Sequence, residues 1–274
     1  MSLALPLSPQ VFAILSALLE ERVGLHYDLH ERELLADRVS PRALERGFES
    51  LLDYYYFLRY DPGAKAELPL LVDALVVNET YFFRDLTALN VLVSDVVPNL
   101  LAAGHQPRIW CAACSTGEEP LTLAMLLDDA GLLERVRIVA SDISARALGQ
   151  AKEGRYRRRS LRSLPPGVVG RWLEGDEEGM RVLPEIARAV EFRRVNLVNS
   201  EELSALGQFD VIICRNVLIY FQDRTIERVA RGLWENLNPE GLLLVGSSES
   251  LLRFDVPFSC EELRGAFFYR KVSK

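Results

Sequence analysis

Histidine and cysteine are scarce in this 274-residue chain, which holds three of the first and four of the second. A structural zinc site takes four nitrogen or sulfur ligands. Cys111-x-x-Cys114 supplies one pair, but no second cysteine pair or histidine cluster follows it. His105 stands alone, and His26 and His30 sit four apart without a matching acidic ligand set. A metal centre is therefore not expected. Cys111, Cys114, Cys214 and Cys260 are also too few and too strand-centred for a disulfide framework, and read as small buried thiols. Long apolar runs are missing as well. No stretch approaches the roughly 20 residues of a membrane span, and Met1 to Gln10 has no basic n-region. A soluble, cytoplasmic protein without membrane insertion is the expectation. Positive charge is in deficit: 32 basic against 39 acidic side chains leave a net charge of −7. That argues against nucleic acid, whose affinity rests on a basic footprint. The one basic cluster, Arg155 to Arg159 with Arg162, reads as a solvated loop or as a contact for an acidic protein surface.

Two phosphate-binding signatures are absent too. No G-x-G-x-x-G occurs, because Ala113 and Ser115 stand where glycines belong, and no lysine follows Gly117 as in a P-loop. What is there is an apolar run, Arg108 to Ala113, then Cys114-Ser115-Thr116-Gly117-Glu118-Glu119-Pro120 opening a helical pattern that reaches about Asp129. In a doubly wound α/β fold this first strand-to-helix turn is where ligands dock. A second strand, Val136 to Ser141, ends at Asp142, where a ribose hydroxyl would find an acceptor. Two carboxylates at a helix start repel a pyrophosphate but suit a cofactor with positive charge, such as S-adenosylmethionine. The competing reading is a capping box, since Ser115/Glu118 and Thr116/Glu119 both fit S/T-x-x-E. One acid can cap while the other binds.

With 49% hydrophobic residues, the chain can bury one large core and a smaller satellite. Residues 8 to about 75 read as helices, beginning at Ser8-Pro9 and restarting at Ser40-Pro41, with Asp61-Pro62-Gly63 as a break. Arg38, Arg42 and Arg46, four apart, form a basic stripe or a solvated face. From 108 onward strands and helices alternate: strand 108–113, helix 118–130, strand 136–141, helix 144–152, strand 190–195, strand 209–214, helix 223–237 and strand 241–246. Phe258 to Leu263 and Ala266 to Val272 make a terminal antiparallel pair about Arg264-Gly265. The segment from about 155 to 190 interrupts the alternation. The expected fold class is α/β: a Rossmann-like methyltransferase domain behind an all-helical N-terminal domain.

Four blocks carry a specific resemblance. Asn78-Glu79-Thr80-Tyr81-Phe82-Phe83-Arg84-Asp85, the Ala112-to-Pro120 turn, Ala140-Ser141-Asp142-Ile143 and Cys214-Arg215-Asn216-Val217-Leu218-Ile219-Tyr220-Phe221 resemble the CheR-type chemoreceptor glutamate methyltransferases, in family order. The resemblance implies three parts: a helical domain over 1–75, a linker carrying an active-site motif over 76–90, and a methyltransferase domain over 91–274 with a small β-subdomain inserted at 155–190. It implies S-adenosylmethionine as cofactor, S-adenosylhomocysteine as product, and glutamates on the cytoplasmic helices of chemoreceptors as acceptors, with the enzyme acting as a monomer. Two other readings stay open. One keeps the cofactor and changes the acceptor to another protein or a small carboxylate, and the other is a non-catalytic cofactor-sensing module.

A glutamate with a pKa of about 4.3 is ionised at neutral pH, so its methylation needs no general base. The absence of a Ser/His/Asp set fits that chemistry. Arg84, behind three aromatic residues, is the first candidate to orient the acceptor carboxylate. Tyr220 is the second. The resemblance also places Arg84, Asn78 and Thr80 at the cofactor. Asp142 is the ribose-side candidate, Glu119 the preferred acid of the first turn and Glu118 its alternate. Asn196, Leu197, Arg215 and Asn216 match further cofactor-contacting positions of the family. Two departures from the family pattern occur. Ser247-Ser248-Glu249 keeps Gly246 before it but puts serine at the usual histidine position. The Glu174–Gly179 loop is short for an enzyme that tethers a receptor's carboxy-terminal peptide, which points to docking without a tether.

Overall fold

The computed structural model describes residues 4–176 and 179–272. The first helices form a bundle with its own core. Helix α1 (Pro9–Val23) starts as its residues dictate, with the Ser8 side chain accepting from the Val11 N–H and Pro9 in the first turn. It ends at Gly24, a left-handed C-cap with φ +81°. Helix α2 (Arg32–Glu45) corrects the expected restart at Ser40-Pro41, because it runs through Pro41 without a break. Leu35, Ala36, Val39 and Ala43 lie on both sides of the proline and bury in one core. That burial outweighs the single backbone bond Pro41 removes. Ser40 also ties this turn down, donating to Ala36 O at 2.6 Å and accepting from Leu5 N–H at 2.8 Å.

Helices α3 (Leu51–Tyr60) and α4 (Ala64–Leu75) complete the bundle and explain the arginine stripe. Glu67 of α4 is buried, and its carboxylate takes two bonds from Arg42, at 2.9 and 2.7 Å. The Tyr54 hydroxyl donates to the same group at 2.8 Å. Arg46 approaches it at 3.7 Å, while Arg38 donates to Leu75 O at 2.6 Å. The stripe faces inward to α4, because a carboxylate buried there needs cationic donors.

After a segment at 76–85 come α5 (Leu86–Val91), a π-turn over Leu92–Val96 and α6 (Val97–Ala102). The α/β part then follows: β1 (Arg108–Ala112), α7 (Glu118–Asp129), β2 (Arg137–Asp142), α8 (Ala145–Glu153) and β3 (Arg155–Tyr156). Next are β4 (Leu173–Asp176), β5 (Gly179–Val182), α9 (Pro184–Arg188), β6 (Val190–Arg194), α10 (Ser200–Ser204) and β7 (Phe209–Cys214). Helix α11 (Asp223–Glu235), β8 (Leu237–Val245), β9 (Phe258–Leu263) and β10 (Ala266–Lys271) close the chain. The main sheet has the order β6-β2-β1-β7-β8-β10-β9, parallel up to β8 and antiparallel beyond it. A second sheet, β3-β5-β4, occupies the interruption in the alternation. The Glu174–Gly179 segment, expected as a loop, is strand up to Asp176 and again from Gly179, and residues 177 and 178 lie outside the described residues.

The strands are apolar throughout because both faces are covered. Ile109 and Cys111 of β1 pack with Leu121 and Leu92 on one face, and Trp110 and Ala112 pack with Val229 and Leu233 on the other. Each such aliphatic side chain on α11 contributes about 1.5–3 kcal/mol by leaving water. Strand β8 begins earlier than its apolar run suggests. Asn238-Pro239-Glu240-Gly241 reads as a turn but forms an irregularity in the strand, and pairing moves from Phe209↔Leu237 to Val211↔Leu242 across it.

Gly117, just before α7, has φ +92°, and a Cβ there would stand 2.7 Å from Ala151 Cβ. Gly117→Ala should therefore lower stability by about 2 kcal/mol or more, through strain and overpacking together. Urea denaturation of the two proteins reads the difference.

Candidate active site

Strand β1 pairs with β2 on one side and with β7 on the other. The chain thus changes direction across the sheet at β1, and the loops after β1, β2, β6, β7 and β8 open at the same, C-terminal edge. Ligands of open α/β sheets bind at this switch point. The turn after β1 reaches the shape a glycine-rich loop would have without the glycines. Ala113 (φ 54°) and Ser115 (φ 52°) are left-handed, a conformation costing about 1–2 kcal/mol per non-glycine residue. Three bonds hold it: Cys114 N–H to Ser141 O at 2.8 Å, Ser115 N–H to Asp142 Oδ2 at 2.7 Å and Gly117 N–H to Cys114 O at 2.9 Å.

Asp142 therefore joins two strand ends, since its Oδ1 accepts from Ser144 N–H at 2.9 Å. Burial raises its pKa, against the pull of those backbone donors. Ser144 caps α8, accepting from Ala147 N–H at 3.0 Å. No capping box forms at α7, whose N-cap Gly117 offers no side chain. Thr116 instead donates to Glu118 Oε2 at 2.7 Å. Glu118 is buried away from the cleft, so the structure separates it from the other site candidates. Burial raises its pKa, while Thr116 and Ser160 hydrogen bonds lower it. Its neighbour Glu119, one helical step round, turns to the cleft.

The segment between α4 and α5 covers this edge. Phe82 N–H donates to Ser160 O and Phe83 N–H to Thr122 Oγ1, while both rings are buried. Phe83 (φ 60°) and Asp85 (φ 46°) are left-handed, which turns Arg84 out between them. Arg84 donates to Glu79 O at 3.2 Å, and its guanidinium lies 5.7 Å from the Tyr81 ring. Arg162 sits 3.8 Å from the centre of that ring, and Arg159 and Arg162 reach the Glu79 carboxylate at 3.3 and 3.7 Å. Part of the basic cluster is thus folded back onto the segment.

Arg215, after β7, is buried and spent on structure. It donates to Glu119 Oε2 at 2.9 Å, to Asp85 Oδ2 at 3.0 Å and to Arg84 O at 3.4 Å. Burial raises the Glu119 pKa, and Arg215 pulls it back. Beyond it, Asn216 (φ 60°) begins the turn that carries Tyr220. Glu249 fastens that turn, its carboxylate accepting from the backbone N–H groups of Asn216, Leu218 and Gly246 at 2.8, 2.8 and 2.7 Å. A Cβ on Gly246 would fall 2.6 Å from Glu249 Oε2. The Gly246-to-Glu249 pattern is visible in the sequence, but nothing local in it discloses the two backbone donors, Asn216 and Leu218, that wait on the turn after β7.

Asn78, Thr80, Arg84, Glu119, Asp142, Asn196, Leu197, Arg215, Asn216 and Tyr220 line one cleft. Asn196 is also a turn former: its Oδ1 accepts from Val198 N–H at 3.2 Å, and its Nδ2 donates to Arg22 O at 2.8 Å. Leu25 and His26 of the helical bundle add a wall that the sequence did not announce. Among the described residues, Asp28, His30 and Glu31 stand close enough to share an ion, yet Asp28 and His30 are exposed. No helix among those residues is long and apolar enough to cross a membrane. Glu249→Ala should leave three backbone donors unpaired and cost about 2–4 kcal/mol, at about 1–3 kcal/mol for each group that water cannot reach. Thermal unfolding of the two proteins would show the loss.

Comparison with known proteins agrees with this geometry. Residues 10–76 match the CheR methyltransferase all-alpha domain, and residues 78–267 match the CheR methyltransferase SAM binding domain. The chain is 34% identical to chemotaxis protein methyltransferase 2 of Vibrio cholerae, over 93% of this chain and 90% of that one. It is 33% identical to chemotaxis protein methyltransferase 1 of Pseudomonas aeruginosa, over 94% and 97% of the two chains. With the Klebsiella aerogenes chemotaxis protein methyltransferase the identity is 36%, over 98% and 92%. A helical bundle against a seven-stranded sheet, a cleft at its switch point and relatives along the whole length lead to one assignment: this chain belongs to the CheR family of S-adenosylmethionine-dependent methyltransferases.

Proposed function

We propose that this enzyme esterifies glutamate side chains on the cytoplasmic helices of chemoreceptors, working in the cytoplasm as a monomer. The observation that carries the acceptor chemistry is the division of labour between two arginines. Arg215 is consumed by Glu119 and Asp85. Arg84 holds only a backbone carbonyl and stands 3.9 Å from Asp85, so its fork remains available to an incoming carboxylate at the cleft. A cation left over in a cleft that also presents carboxylates suits an anionic acceptor meeting a cationic donor.

The residues present fit S-adenosylmethionine. Leu25, Val76, Ile143 and Leu197 offer apolar surface for a nucleobase, and Asp142 and Glu119 offer carboxylates. Asp142 would take the ribose side and Glu119 the charged end, with Asn78, Thr80, Asn196, Leu197, Arg215 and Asn216 as further contacts. When bound, the cofactor supplies a methyl group on a sulfonium, which an anion attacks directly. The chain's own task is alignment and exclusion of water. Arg84 would hold the acceptor carboxylate, and the Tyr220 hydroxyl would fix it or the reacting methyl group from the opposite wall. No proton has to move, so the reaction asks for no general base.

Labelled methyl transfer from S-adenosylmethionine to receptor fragments tests this reading, with Glu-to-Gln fragments as controls. Transfer should appear on the wild-type fragments and vanish on the controls. Arg84→Ala should lower turnover about 100-fold, the scale of losing one electrostatic partner of a transition state. Affinity for S-adenosylhomocysteine should fall far less. Unchanged turnover at saturating acceptor would remove Arg84 from the mechanism.

Docking would rest on the helical domain and on the Arg155–Arg162 segment, of which Arg155, Arg157 and Arg158 are exposed. Exposed charges are screened over about 8 Å at physiological ionic strength. Receptor methylation should therefore fall as salt is added. Removing a receptor's terminal peptide should change it little, and that peptide captured on residues 170–190 in a binding titration would refute tether-free docking.

A further inference from the structure

The wall that the helical bundle gives to the cleft meets the turn bearing Tyr220 at one place. His26 donates its backbone N–H to Tyr220 O at 3.0 Å. Its imidazole Nε2 lies 3.2 Å from Gln222 Nε2, just past the turn and at the N-cap of α11. Glu20 of α1 reaches Arg224 in the first turn of the same helix at 2.8 Å, and sits 3.6 Å from His26 Nδ1. Asp28 lies 3.3 Å from Nε2 on the exposed side. Nε2 thus lies within reach of both Gln222 and Asp28, while Nδ1 is buried and has no hydrogen-bond partner among the described residues. Next to it, Gly24 brings backbone against the methyltransferase domain. A Cβ there would stand 2.9 Å from Val198 Cγ1 and 3.0 Å from Phe221 Cε1.

We propose that His26 is a positioning residue for methyl transfer, holding the Leu218–Tyr220 turn so that the Tyr220 hydroxyl is presented to the acceptor only while the helical bundle is docked. The proposal rests on the reading of Tyr220 as acceptor-facing. Tyr220 stands on a short 3₁₀ turn in which Leu218 is buried and Ile219 is exposed. Glu249 anchors the start of that turn through Asn216 and Leu218, and His26 anchors its end. A hydroxyl displaced by about 1 Å costs on the order of 100-fold in rate, so a loosened end shows in turnover before it shows in binding.

Hydrogen–deuterium exchange and steady-state kinetics on the full chain test this together. His26→Ala keeps the backbone bond to Tyr220 O but removes the ring's contact with Gln222, and should speed exchange across residues 217–224 and lower kcat by about tenfold or more. The KM for S-adenosylmethionine and the Kd for S-adenosylhomocysteine should stay within about threefold, because the strand-end loops that line the rest of the cleft are untouched. His26→Gln, whose amide sits near the Nε2 position and can meet Gln222, should recover most of kcat. Gly24→Ala and Gly47→Ala form a matched pair: both glycines are left-handed, at φ +81° and +82°, but Gly47 has open space where Gly24 has Phe221. Gly24→Ala adds overpacking to strain and should lower the thermal midpoint further than Gly47→Ala, and only Gly24→Ala should lower kcat at a temperature where both are folded. Unchanged exchange at 217–224 in His26→Ala overturns the proposal. So does a kcat loss matched by an equal loss of cofactor affinity, or equal kinetics for the two glycine variants. A wild-type enzyme inactive on receptor fragments would count against the acceptor reading, and the exchange result would still decide the clasp.

Discussion

The Arg215 guanidinium is the point on which the site depends. It is buried, so its charge has no water to lean on, and it binds one carboxylate from α7 and another from the segment before α5. Three stretches distant in sequence are thereby held at one centre: the first turn of the sheet, the covering segment and the loop after β7. Removing one partner of such a buried pair typically costs about 3–5 kcal/mol, because the other charge is left unpaired. The same pairing also decides which arginine faces the ligand. Asp85 prefers Arg215, at 3.0 Å, over its chain neighbour Arg84, at 3.9 Å.

Backbone strain gathers around that centre. Among the described residues, seven non-glycine positions have positive φ, and Phe83, Asp85, Ala113, Ser115 and Asn216 are five of them. Strained residues persist only where surrounding bonds over-determine them. Four of the five have such bonds: Asp142 for Ser115, Glu249 for Asn216, Thr122 for Phe83 and Arg215 for Asp85. These residues gather at the edge of the sheet where the cleft lies.

The sheet was readable from the sequence because its strands are short apolar runs of the same period, separated by helices with one apolar side. Trp110 and Ile212 point one way and Cys111 and Ile213 the other, as a two-residue repeat requires. Less legible were features settled by partners far along the chain. Arg42 looks like one step of a surface stripe until Glu67 is found beneath it. Pro41 looks like a helix start until residues on both sides share a core. Glu118 and Glu119 are equivalent in the sequence. Only the helix direction separates them, sending one toward Thr116 and the other toward Arg215. His26 carries no local mark at all, since its partners Tyr220 and Gln222 lie almost 200 residues away.

The small sheet is wired into the cofactor turn through one side chain. Tyr156 of β3 is buried, donates to Thr116 O at 2.7 Å and sets its ring edge-on to Phe82 at 4.7 Å. Strand β4, in contrast, is separated from β3 by β5. Its first residue, Leu173, is nonetheless fully buried in the core shared with the main sheet, and Trp172 just before it donates to Asp128 Oδ2 at 2.7 Å, so the small sheet braces α7 near both of its ends.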